Sequence, residues 1–200
     1  MPTDLTIPPF STPAGPDREP AERCAAIAEA MQAAGLLEAP APPAALLWID
    51  TFVEAFGSRV ETAGDALADV RELRAEAVTI PALELERLRG RQVLFFLDTV
   101  SQYVDDQSEL RGLALTHDLT EMASEFGLAT GDALWAVRMA LTARAGGPPL
   151  ELLFPLLGHD RIMMRIGAVN SHLLHGRGLE PIKYGPDGLP FRPIEGHAQR

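Results

Sequence analysis

Two hundred residues, 46% of them apolar, are enough for one domain or for two small ones sharing an interface. A single cysteine, Cys24, excludes an internal disulfide, and no apolar run reaches the ~18 residues that a membrane-spanning helix needs. The net charge of -11 argues against a general nucleic-acid binder, which would present a basic surface.

Ala, Leu and Glu are common and aromatics make up only 6%, a balance that favours helices. Nothing at the start resembles a signal peptide, so a reducing cytoplasm is the expected compartment. Met1 to Pro16 holds five prolines and little apolar periodicity, which predicts an extended or disordered arm over 1–19. A first helix is predicted from Glu19 to Ala34, with Cys24, Ile27, Ala28 and Met31 inward and Gly35 ending it. The Pro-rich run Ala39 to Pro43 is a stiff connector. The next helix, Ala44 to Phe56, carries Leu46, Leu47, Ile49, Phe52, Val53 and Phe56 and reads as buried on most sides. Gly57 stops it, and Ser58 is placed to cap a third helix, Arg59 to Arg74, with Val60, Ala63, Leu67 and Val70 inward.

Ala77 to Pro81 reads as a short extended piece, followed by a surface helix within Ala82 to Gly90. Val93, Leu94, Phe96, Leu97, Val100 and Val104 give the helix from Arg91 to Asp106 a dense core face, and another helix follows from Leu115 to Phe126. Gly131 to Ile166 then predicts three short helices with two sharp joints. Thr130 or Asp132 caps the first, in which Leu134, Val137 and Leu141 fall at helical spacing. Gly146, Gly147, Pro148 and Pro149 break the chain, and Leu150, Leu152, Leu153, Leu156 and Leu157 form an apolar ridge. Gly158 ends that helix, and Asp160 favours the start of the next. From 175 to 200 the chain is rich in Gly and Pro. It is expected either to pack on the body through Ile182, Tyr184, Phe191 and Ile194 or to be mobile. The predicted organisation is therefore all-α: an N-terminal helical bundle over 20–81, a C-terminal one over 82–174, a Pro-rich arm and an irregular tail.

The order Trp135, Arg138, Leu141, Thr142, Arg144, then Pro148, Pro149, Leu150, then Leu156, Leu157, Gly158, Arg161 resembles the end of the anticodon-binding domain of bacterial glutamyl-tRNA synthetases. Upstream, the helical layout is compatible back to about Pro20, by pattern only. The resemblance implies an all-α domain of a class I synthetase, standing alone. It also implies contact with a tRNA anticodon loop, where exposed arginines meet bases and phosphates and an apolar platform takes an unstacked base. Carried over, Arg138 and Arg144 are polar readers, Trp135, Pro148 and Leu150 shape the base pocket, and Thr142 belongs to the same motif. Arg161 and Arg165 meet phosphates on that face. Two positions depart from the family: the residue after Thr142, often glycine there, is Ala143, and the loop reads Ala145, Gly146, Gly147.

Charge supports this placement. Trp135 to Lys183 holds six Lys or Arg against three Asp or Glu, whereas Met1 to Leu134 holds nine against 23. An acidic body opposes indiscriminate phosphate binding while a local basic patch still serves one site.

No phosphate-binding glycine loop and neither nucleotide-binding signature of a class I synthetase occurs. Gly158 to Arg161 shares letters with one of them but lies between helices, so this chain is not expected to activate an amino acid alone. No catalytic set, metal site or cofactor is predicted. His172 and His175, with His159 and Asp160 earlier, lack a third ligand at convincing spacing. His117 and Asp118 have no matching nucleophile. Two functions lead: binding tRNA without catalysis, alone or in trans with a synthetase, and a protein-interaction module that keeps the scaffold and has lost RNA; an enzyme with unrelated chemistry in a cleft between the bundles comes last. No membrane partner is expected.

Overall fold

A proline opens each of the first two helices, at the turn where its missing N–H leaves no hydrogen bond unmade. The computed structural model of the chain describes residues 19–175, and these form eight α-helices and no strand. They are α1 (Pro20–Ala33), α2 (Pro43–Phe56), α3 (Ala63–Arg74), α4 (Ala82–Leu88), α5 (Arg91–Asp105), α6 (Leu115–Glu125), α7 (Thr130–Thr142) and α8 (Leu150–His175). The arm and the tail expected from the sequence lie outside the described residues, apart from Glu19 and His175.

Three expectations are corrected. Helix α2 buries one stripe, Ile49, Phe52, Val53 and Phe56, whose spacing is that of a single helix face. Leu46 and Leu47 fall off that stripe and are 49% and 51% exposed, so α2 is not buried on most sides. Helix α3 starts four residues later than predicted. Its cap is Thr62, not Ser58: the Asp65 backbone N–H donates to Thr62 Oγ1 at 3.2 Å, and the Thr62 N–H donates to Asp65 Oδ2 at 3.0 Å. That reciprocal pair satisfies two orphan donors and sets the register in which Ala63, Ala66, Leu67, Val70 and Leu73 are buried. The segment 77–81 lies outside helices and strands, compatible with the short extended piece expected there. At α7 the N-cap is Ala129, with no side-chain cap from Thr130 or Asp132.

The expected joint at Gly158 is present. Its φ of 74° and ψ of 164° interrupt α8 and free carbonyls on its N-terminal side. Two side chains take up that role. Trp48 Nε1 donates to the Leu156 carbonyl at 2.9 Å, and Arg161 Nη1 donates to that of Leu157 at 3.3 Å. The kink is therefore anchored to α2 and fixes where the second half of α8 runs.

That half is central to the fold. Helix α8 packs against α2, α3, α5, α6 and α7, while α1 packs on α2 and α3. The buried side chains make one cluster, from Ile27 on α1 to Val169 on α8. Helices α1–α3 meet α5–α7 chiefly through α8, and the loop between α7 and α8 ends up beside α3. No described helix is long and apolar enough to cross a membrane.

Candidate nucleic-acid interface

Trp135, Arg138 and Thr142 are spaced three and four apart and share one half-buried side of α7. The helix stops at Ala143, which adopts the left-handed conformation at φ 54°. Thr142 Oγ1 ties this exit together: it donates to the Arg138 carbonyl at 2.8 Å and accepts the Arg144 N–H at 3.3 Å. The structure thus explains why glycine suits the position after Thr142. A Cβ in that region costs roughly 1 kcal/mol. Ala143→Gly is expected to stabilise the fold by up to about 1 kcal/mol, raising the melting temperature by about 2–4 °C; an unchanged or lower melting temperature would show that Ala143 is unstrained.

The rest of the joint closes on Arg138. Its Nη1 donates to the Pro148 carbonyl at 2.6 Å. Gly147 stands against it with φ 152°, and a Cβ there would sit 3.3 Å from Arg138 Nη1, so both conformation and space call for glycine. Burial lowers the pKa of the Arg138 guanidinium, and nearby Glu151 opposes that fall. Burial alone would raise the Glu151 carboxyl, but hydrogen bonds from the Thr116 hydroxyl and N–H and from its own backbone outweigh it and hold the group below its usual range. Pro148 and Leu150 are buried beneath the loop. They form its floor, whereas Ala145, Gly146, Gly147 and Pro149 are exposed.

Arg144 is exposed and leans on α3. It hydrogen-bonds Glu72 and lies 3.7 Å from Asp69 Oδ1, while Arg59 meets the same aspartate at 3.4 Å. These groups, with Arg138 and Phe56, line a shallow depression between α3 and the loop. The acids and Arg59 were missed in the sequence reading. Glu72 stands 72 positions from Arg144, and no motif or periodicity links the two.

The remaining candidates contact the body of the fold. Arg161 is half-buried, with Nε donating to the Arg74 carbonyl at 3.3 Å besides its bond at the kink. The expectation that Arg165 meets a phosphate is overturned: the residue is 1% exposed. Its guanidinium donates to the carbonyls of Glu72 at 2.8 Å and Ala75 at 2.6 Å at the end of α3, to that of Leu73, and to that of Leu141 at the end of α7. A planar fork with five donors can serve two helix ends at once, where cations are favoured. Burial first, then neighbouring Arg161, lowers its pKa to about 10, so it stays charged at neutral pH. Trp135 lies two turns before the helix exit at Thr142, with Arg87 over its ring at 4.1 Å, so its face is covered rather than open. The structure brings Arg138, Thr142, Arg144, Pro148 and Leu150 together at one joint; buried Arg165 braces the wall of the same depression, and Arg161 lies at the kink of α8.

A family model described as anticodon binding domain matches residues 24–169. Among solved structures, a glutamate tRNA ligase from Elizabethkingia meningosepticum, in complex with its amino acid, is similar with a TM-score of 0.64 at 10% identity. The match covers 78% of this chain and 30% of the ligase chain, and at that identity it speaks to the fold. No curated protein matches.

Proposed function

The chain belongs to the anticodon binding domain family, and from that premise we propose that it binds the anticodon loop of a tRNA without chemistry of its own, alone or in trans with a synthetase. The observation that carries this reading is the joint itself. One exposed guanidinium, Arg144, sits beside exposed Gly146 and Gly147, on a floor of Pro148 and Leu150 braced by Arg138. Such a joint offers paired side-chain donors and close main-chain approach to one unstacked base. Glu72 and Asp69 occupy Arg144 in this state, yet an exposed ion pair of this kind contributes only about 0–1 kcal/mol, so an RNA acceptor can replace them. The same acids disfavour phosphates that do not fit, which gives selectivity to a domain of acidic balance.

The test is a filter-binding titration with tRNA at low salt. Arg144→Ala is expected to weaken binding about tenfold or more and to reduce the salt slope by about 0.7–1. Absence of any tRNA affinity in the unaltered chain removes the reading.

A second reading has one specific observation behind it: Arg144 is neutralised on α3, while Leu46 and Leu47 are exposed on α2. Those features suit a scaffold that docks a protein, such as a synthetase. A stable protein complex purified without nucleic-acid absorbance would favour it.

A further inference from the structure

Three of the nine Lys or Arg in residues 1–134 fall within five positions at the junction of α4 and α5: Arg87, Arg89 and Arg91. Two of them rest on aromatic rings, Arg87 over Trp135 at 4.1 Å and Arg91 over Phe95 at 5.3 Å. A guanidinium held by a ring keeps its planar donor edge for a ligand. Arg87 also meets Glu84 at 2.8 Å and Arg89 meets Glu86 at 3.4 Å, both pairs one turn apart and exposed. Exposed pairs of that kind hold little free energy and yield to a phosphate. Arg91 forms no ion pair among the described residues, and Phe95 is 44% exposed. An open groove runs here, lined by Arg89, Gly90, Arg91, Leu94 and Phe95 with the end of α8.

Arg87 links the patch to the helix that carries the joint. Trp135 precedes Arg138 by one turn and Thr142 by two on the same side of α7, and Arg87 lies on Trp135. The buried indole Nε1 of Trp135 has no partner among the described residues, so this contact leaves a donor unsatisfied.

We propose that the junction of α4 and α5 is a second RNA contact, a track for the single-stranded backbone leaving the Gly-Pro joint. Arg89 and Arg91 meet phosphates there, and Phe95 offers a stacking face to a base. The proposal rests on the RNA reading above. Planar cations interleaved with aromatic rings are the composition that single-stranded nucleic acid selects, because every base has a π-face and every nucleotide a phosphate.

The test uses the full chain, a labelled anticodon stem-loop and an unrelated single-stranded RNA of equal length. Arg89→Ala with Arg91→Ala is expected to weaken both RNAs alike, about tenfold, and to lower the salt slope by about 1.4. Arg91→Gln, which keeps a polar side chain without the charge, repeats the measurement, and thermal melts confirm that the fold is kept. Phe95→Ala weakens binding without changing the slope. Unchanged affinity and slope in the arginine variants, with Arg144→Ala still harmful, overturns the track and leaves the joint standing. Loss of one RNA only marks base reading and also overturns it. If the unaltered chain binds neither RNA, the track and the joint fall together.

Discussion

Arg165→Ala is expected to lower the unfolding free energy by about 3–5 kcal/mol, the largest effect of any single arginine among the described residues. The residue is 1% exposed and donates to carbonyls at the ends of both α3 and α7. Removing it leaves main-chain acceptors buried without donors, at about 1–3 kcal/mol each, and opens a cavity of arginine size. Arg165→Lys retains a charge but replaces a fork with a point, so it restores only part of the loss. Chemical denaturation of the three proteins checks this. A loss under about 1 kcal/mol for Arg165→Ala would mean that water or repacking satisfies those carbonyls. The consequence for function is indirect. Arg165 ties the end of α7 to the end of α3, so it fixes where Arg144 meets Asp69 and Glu72.

Arg138→Ala is expected to cost both stability and RNA affinity. Its Nη1 bond to the Pro148 carbonyl closes the joint, and deletion of a charged donor of this kind costs about 1.5–3 kcal/mol. With the loop 143–149 released, tRNA affinity should fall more than tenfold. Arg144→Ala separates the two roles: Arg144 is exposed and its ion pairs are worth little, so affinity falls while the melting temperature barely moves. Parallel melts and titrations of both variants test the distinction. If Arg138→Ala keeps full affinity, the joint does not need its closed form to bind.

Helix positions were legible because local signals agree. Prolines open α1 and α2, Gly158 carries a positive φ at the predicted joint, and Ile49, Phe52, Val53 and Phe56 fall on one stripe. The start of α3 was misread because Ser58 and Thr62 are both good caps. Only the register that buries Ala66, Leu67 and Val70 decides between them. Leu46 and Leu47 were misread because a densely apolar helix does not reveal how much of its circumference has neighbours. The family was legible in the order from Trp135 to Arg161, since the matching residues lie within one short stretch of the chain.

Arginine roles were legible only in part. What an arginine does depends on its partners, and those are distant: the α3 carbonyls that hold Arg165 lie 90 or more positions away, and the carboxylate on Arg144 lies 72 away. Sequence spacing places a guanidinium on a helix face, but it does not say whether the neighbouring helix buries it.

Amide hydrogen exchange of the free and tRNA-saturated protein is the most direct test that RNA binds through the Gly-Pro joint. Binding there slows exchange at the amides of residues 143–147 and leaves the exposed α2 turn around Leu46 and Leu47 unchanged. Saturation with tRNA that leaves 143–147 unprotected, or that protects the α2 turn instead, contradicts it.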